Sequence, residues 1–276
     1  STQLKVENSF VDYFKKDTEI YKGMKLIDEQ LGGTTPLDII IQFDPSNTQS
    51  VIDDQDDLFD FGIEYDPADY WFTSDKINII KSLHDHLENY PFSGKVLSLA
   101  SVVRTAEKLN SDNEFDTLEL SVLYKKLPKD LKEQIIKPYV LVEKNQARIS
   151  MRVIDTHSEL RRSKFINDLE NYIDNNYSKE NLDIYPAGVL ILYNNMLSSL
   201  FDSQIKSLSI VLGGIFFMLL ILFRSIKIAF AAITPNLVAC FAILGTMGLL
   251  SIPLDLMTIT IAAITIGIAV DNSIHY

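Results

Sequence analysis

The chain is short of the residues that staple, ligate or grip phosphate. It has one cysteine, Cys240, so it can form no internal disulfide and no cysteine-based metal centre. Four histidines leave little material for a histidine-rich site. Cations are missing from a long stretch, with no Lys or Arg between Lys25 and Lys76. With no basic patch to displace phosphate counterions, a nucleic-acid partner is excluded. Charge of either sign is scarce in residues 205–276, which hold only Lys206, Arg224, Lys227, Asp255 and Asp271, a net of +1. Against a whole-chain charge of −12, that leaves −13 on residues 1–204.

An acidic, water-facing portion therefore precedes a strongly apolar one. At about 200 residues the first can bury one substantial core or two small ones. The chain opens on polar Ser1-Thr2-Gln3, with no initiator Met and no visible signal peptide, and it stops inside an apolar run. It reads as a fragment that lacks at least one membrane segment at each end.

A helix is expected first, capped by Asp17 and carrying Ile20, Met24, Ile27 and Leu31 at helical spacing, with Gly32-Gly33 as its stop. Leu37 to Phe43 is β-rich and reads as a strand. A helix capped by Ser74 or Asp75 presents Ile77, Ile80, Leu83, Leu87 and Tyr90 on one face and ends at Pro91. Strand Lys95–Leu99 leads into one or two helices between Val102 and Ile136. Strands Tyr139–Val142 and Arg148–Ile154 meet at a turn, Asn145-Gln146; helix Ser158–Ile173 and strand Leu182–Tyr185 follow. This order is close to a ferredoxin-like split β-α-β fold, βαββαβ with a helical insertion. The predicted fold class is an α+β outer domain over residues 1–204, followed by an all-α transmembrane bundle over 205–276.

Two polar features invite a metal reading and do not sustain it. Asp53, Asp54, Asp56, Asp57, Asp60, Glu64, Asp66 and Asp69 crowd one loop, but not at alternate positions closed by Gly and Glu as a calcium loop requires. A solvated loop fits better. His84 and His86 flank Asp85 at i and i+2, which point to different faces of a helix. With His157 far along the chain, no nucleophile–base set stands out, so neither a catalytic centre, a metal nor a cofactor is expected.

The apolar portion reads as membrane crossings at about 205–223, 228–250 and 254–276, the last truncated. Lys206 lies near an end where it can snorkel. Arg224-Ser225-Ile226-Lys227 is a positive hinge, which belongs on the cytoplasmic side and places residues 1–204 outside. Asp271 then sits about 24 Å of helix rise past Asp255, beyond the midplane but within the apolar layer. It follows an uncharged run from Leu256 to Val270. A carboxylate at such a depth costs roughly 2.5–3.5 kcal/mol. Two readings of it stand side by side: a structural Asp bonded to a neighbouring helix, or a proton or sodium relay whose pKa is raised by burial. His275 lies one turn on along the same face, as a relay partner or an interfacial residue, and Gly267 one turn before, where a small side chain lets another helix approach. Ser273 and His275 are two apart and face differently, so a membrane-anchored hydrolase is not supported.

Gly267-Ile268-Ala269-Val270-Asp271-Asn272-Ser273-Ile274-His275-Tyr276 resembles the fourth transmembrane helix of the resistance–nodulation–cell division (RND) superfamily, in the branch of hydrophobe/amphiphile exporters related to MmpL-type lipid transporters. Asn8–Phe14, Leu31–Leu37, Gly94–Leu99 and Ile252–Thr258 are similar to that family as well, and Gly267 with Asp271 forms a Gly-x-x-x-Asp pair like that of Patched-like members. The resemblance implies an exporter of two similar halves in the bacterial inner (plasma) membrane, multi-pass, with this chain as the first half's periplasmic porter domain and helices two to four. It implies an Asp271 that couples proton flow to movement of hydrophobic or amphiphilic cargo, lipids among them. Many relatives carry a second Asp where this chain has Asn272, which leaves the coupling ion, proton or sodium, open. The implied partners are that cargo, membrane lipids and the missing second half; members differ in oligomeric state, and a homo-oligomer is one arrangement it allows. The alternative in the same architecture is a non-transporting, sterol- or lipid-responsive receptor or a protein-export accessory. Acidic outer loops weakly disfavour anionic cargo at that surface.

Overall fold

The computed structural model describes residues 9, 11, 14–43, 71–111, 113–178, 182–249 and 264, with some side chains between 201 and 249 left out of the description. The chain falls into two compact units, Phe14–Leu192 and Ser1–Tyr13 with Tyr193–Tyr276. The acidic stretch 53–69 lies outside the described residues.

In the first unit the elements are α1 (Glu19–Gln30), β1 (Thr35–Phe43), α2 (Ser74–Glu88), β2 (Ser93–Leu97), α3 (Leu99–Leu109), α4 (Thr117–Lys126), β3 (Val140–Leu141), β4 (Gln146–Val153), α5 (Arg162–Tyr177) and β5 (Leu182–Ala187). A short turn of helix at Lys129–Leu131 and a π-turn at Lys132–Ile136 connect α4 to β3. The sheet runs β2-β4-β1-β5, antiparallel throughout, with the two-residue β3 as a further partner of β4. Strands β1 and β2 are thus parallel with β4 between them, and β4 and β5 are parallel with β1 between them: two interleaved split β-α-β units.

Period-2 alternation sends Leu37, Ile39, Ile41 and Phe43 of β1, and Ala147, Ile149, Met151 and Val153 of β4, to one face. There they form one core with Ile77, Ile80, Leu83 and Leu87 of α2 and with Phe165, Leu169, Ile173 and Tyr177 of α5. Each such aliphatic side chain contributes about 1.5–3 kcal/mol by leaving water. The pairing register puts the alternate residues on the opposite, open face: Asp38 with Ser150 and Ala187, Ile40 with Arg148 and Tyr185, Lys95 with Arg152.

The first helix departs from its expected form. Thr18, not Asp17, is the N-cap, and its hydroxyl accepts from the Tyr21 amide at 3.3 Å. The expected core face points to solvent, with Ile20 58 % and Leu31 61 % exposed, while the buried residue of the helix is Asp28. Helical periodicity reports amphipathicity, but here a carboxylate rather than the apolar stripe makes the tertiary contact. Asp28 Oδ1 accepts from the Thr34 amide (2.8 Å), the Thr34 hydroxyl (2.6 Å) and the Asp155 amide (3.0 Å). Its Oδ2 accepts from the Thr156 amide (2.8 Å) and hydroxyl (2.7 Å). Burial by itself would raise its pKa; the hydrogen bonds from Thr34, Thr156 and Asp155 outweigh that and hold it below the ordinary carboxylate value. Beside it, Gly33 has φ +93° and a Cβ there would lie 2.4 Å from the Val153 carbonyl oxygen. A Cβ on Gly94 would lie 2.1 Å from the Gly32 carbonyl oxygen, so both glycines are demanded by backbone-to-backbone approach.

The all-α transmembrane bundle expected after the α+β domain is corrected. Among the described residues no helix is long and apolar enough to cross a membrane. Two helices are described there, α6 (Val189–Phe223) and α7 (Ile226–Leu249), turned by Arg224 at φ 51°. The apolar run counted from residue 205 is the later part of α6, continuous from Val189 as the helical reading of residues 189–201 expects, and the earlier part carries Asn194, Asn195, Ser198, Ser199, Asp202 and Ser203. In α7, Pro235 removes a backbone donor and the Thr234 hydroxyl returns to the Phe230 carbonyl at 2.7 Å. The rings of Phe216 and Phe230 meet edge to face at 5.1 Å. The third expected crossing, 254–276, lies outside the described residues except for Ile264.

Replacing Asp28 by Asn leaves donors facing an NH2 group, and the expected loss is about 3 kcal/mol in chemical denaturation. Because the folded pKa is depressed, the carboxylate's contribution is complete above its ordinary pKa near 4 and disappears as pH falls through the lower folded value. The cap assignment is checked by a pair of variants: Thr18→Ala should cost about 1 kcal/mol and Asp17→Ala close to nothing.

Candidate functional site

The relay residues Asp271, Asn272 and His275, and the packing residue Gly267, lie outside the described residues. The chemistry on view is in the α+β unit. His84 and His86 do diverge, as i and i+2 must.

His84 is 2 % exposed and points from α2 to the start of α3. Its Nε2 is 3.1 Å from Glu88 Oε1 and its Nδ1 is 2.9 Å from Ser98 Oγ. An ionised Glu88 can only accept, so the imidazole proton sits on Nε2 and Ser98 donates to Nδ1. Ser98 also accepts from the Ala100 amide at 3.0 Å, as the N-cap of α3. Sequence reading placed Ser98 and Leu99 in a strand and missed this meeting, because nothing local ties residues 14 positions apart. The one available signal was the capping pattern, Ser98 with Ser101 at the third helical position.

A histidine in hydrogen-bond reach of a serine on one side and a glutamate on the other has the composition of an acyl-transfer triad. Here they cannot act as one, since Ser98 is 0 % exposed and its hydroxyl is committed to both a helix cap and the imidazole. The set pins α2 to α3, flanked by Lys81 with Glu107 at 2.7 Å and by Asp85 with Arg104. Burial lowers the His84 pKa; Glu88 opposes this in part, Arg104 adds to it and Asp85 opposes it.

His86 stacks face to face on Tyr172 at 3.5 Å and its Nε2 is 3.1 Å from the Tyr90 hydroxyl, joining α2 to α5. Burial lowers its pKa. His157 accepts from the Glu159 amide through Nδ1 at 3.3 Å, and its ring and that of Phe92 meet edge to face with centres 6.4 Å apart. Lys76 lies 5.3 Å from the Phe43 ring centre and 5.0 Å from that of Trp71, and donates to Asn145 Oδ1 at 3.0 Å. Burial brings its pKa down to about 8. Among the described residues no three of His, Cys, Asp and Glu come together as metal ligands would.

No family model matches the chain. It is similar to a protein of Methanocaldococcus jannaschii named "putative membrane protein", 23 % identical over 283 residues, an alignment that takes in 100 % of this chain and 65 % of that protein. The chain thus spans 65 % of the length of the curated relative it matches. That name extends to membrane association and no further.

Because burial lowers the His84 pKa in the folded chain, acidification favours the unfolded chain, which takes its proton near the ordinary value of about 6.5. Stability should fall as pH drops below that value toward the lower folded pKa. In His84→Gln this part of the slope should vanish, read from urea midpoints between pH 7 and 5; an unchanged slope would assign it elsewhere.

Proposed function

We propose that the chain is part of an ion-driven membrane exporter of hydrophobic or amphiphilic molecules, lipids among them, in the manner of the RND superfamily. The observation that carries this reading is Asp271 at the end of the uncharged run Leu256–Val270, with Gly267 one turn before it. Support comes also from the division of charge, −13 on residues 1–204 against +1 on 205–276, and from end-to-end similarity to a protein named for the membrane. In this reading the chain belongs to the plasma membrane, and the α+β unit stands on its outer side.

Protonation of Asp271 would remove a charge that costs roughly 2.5–3.5 kcal/mol at membrane depth. A segment holding the neutral acid can shift in the apolar layer where one holding the anion is restrained. Asn272 offers a hydrogen bond but no second titrating group, so one proton or sodium ion per cycle is the stoichiometry proposed here. His275, on the same helical face, is the candidate to exchange that proton with water.

In the full-length protein, Asp271→Asn should abolish cargo transport in proteoliposomes while leaving expression and insertion intact. Transport that continues in this variant rules out the relay. Cargo binding by the wild type with no proton or sodium flux would instead favour the non-transporting receptor.

A further inference from the structure

The open face of the sheet carries a feature that the acidic composition does not anticipate. Lys95 of β2 and Arg152 of β4 are direct cross-strand partners, both exposed. Opposed residues on antiparallel strands hold their Cβ atoms about 4.5–5.5 Å apart, and like charges in that position repel. Neither side chain makes an ion pair among the described residues, whereas Arg148, two positions inward on the same face, has Asp38 at 3.8 Å. The pairing is fixed by backbone. Gly94 lies against the Gly32 carbonyl, and the register irregularity between Ser93 and Lys95 resets β2 so that Val96 enters the core with Met151 while Lys95 and Leu97 face out.

The next row inward sets Ser150 between Leu97 and Asp38, whose carboxylate is engaged by Arg148 at 3.8 Å, and the row of Ile40, Arg148 and Tyr185 follows. A cation pair at one edge of the face, a hydroxyl beside it and half-exposed apolar side chains beyond match a molecule with an anionic head and an apolar tail.

We propose that this face binds anionic amphiphiles of the long-chain carboxylate type, with the head between Lys95 and Arg152, near the Ser150 hydroxyl, and the chain over Leu97, Ile40 and Tyr185. The role rests on the exporter reading, whose cargo class it narrows to anionic amphiphiles; the binding does not depend on it. A carboxylate relieves the Lys95–Arg152 repulsion, which a neutral head does not, so head charge is the recognised property.

The test is equilibrium dialysis of radiolabelled oleate against the full chain in zwitterionic-lipid nanodiscs, with empty discs subtracted. Saturable binding is expected, weakened at least tenfold in the double variant Lys95→Gln/Arg152→Gln and much less in Arg148→Gln. Methyl oleate should bind the wild type no better than oleate binds the double variant. Removing a like-charge pair should not lower the melting temperature, so lost binding with an unchanged melt is loss of the site. Oleate bound equally by wild type and double variant, or methyl oleate bound as well as oleate, overturns the proposal. Asp271→Asn should bind oleate normally, so a failure of the relay and a failure of this site are read separately.

Discussion

One buried carboxylate holds the α+β unit in register. Asp28 gathers five hydrogen bonds from Thr34, Asp155 and Thr156, and so joins the end of α1, the entry to β1 and the exit from β4. The Asp155 amide serves Asp28 while its side chain pairs with buried Arg162 at the start of α5. Helix α5 is therefore launched from the same knot that closes the first turn. The glycines at 33 and 94 are consequences of that closeness, since backbone drawn against Val153 and Gly32 leaves no room for a side chain, and Gly32 between them has the positive φ (+86°) that favours glycine. An ionised group without water is tolerable only when its lone pairs are filled, and here backbone amides and hydroxyls fill them.

The same logic explains why polar groups inside this unit are structural. Ser98 caps α3 and engages His84, whose other nitrogen reaches Glu88. Burial makes each bond directional and costly to leave unmade, which fixes the docking of α2 on α3 more narrowly than Leu and Ile contacts do. It also withdraws His84 and Ser98, though not half-exposed Glu88, from the surface. The arrangement is a pin, and chemistry has to be sought on surfaces or in the apolar portion.

What was legible in the sequence follows from which signals are local. The run Leu37–Phe43 and the alternation of β4 announced their strands, because side-chain period 2 is a property of the strand alone. The face of α2 was equally plain, with Ile77, Ile80, Leu83 and Leu87 at helical spacing. The apolar stripe of α1 misled, because Asp28 and not Ile20 or Leu31 supplies its tertiary contact. Strand β2 was drawn two residues late, through Ser98, because a serine cap and a strand residue look alike until the partner of its hydroxyl is known. The helix that carries the apolar run from residue 205 was legible back to Val189, because no proline and no glycine interrupts residues 189–201 before the run begins. No reading of one residue at a time finds Lys95 opposite Arg152, since their adjacency exists only through strand pairing.

That pair also shows why net charge is a poor guide to ligand sign. At physiological ionic strength charges separated by more than about 8 Å are largely screened from one another. Most of the −13 on residues 1–204 is therefore screened from a head group at the sheet, which responds chiefly to the charges within that distance. What such a group meets is the local field of two cations about 5 Å apart at their Cβ atoms. Loss of solvent beneath an apolar tail would strengthen that field, because the same charges interact more strongly as the effective dielectric falls. An acidic chain can thus carry an anion-selective surface, provided backbone register sets two cations side by side where acids are few.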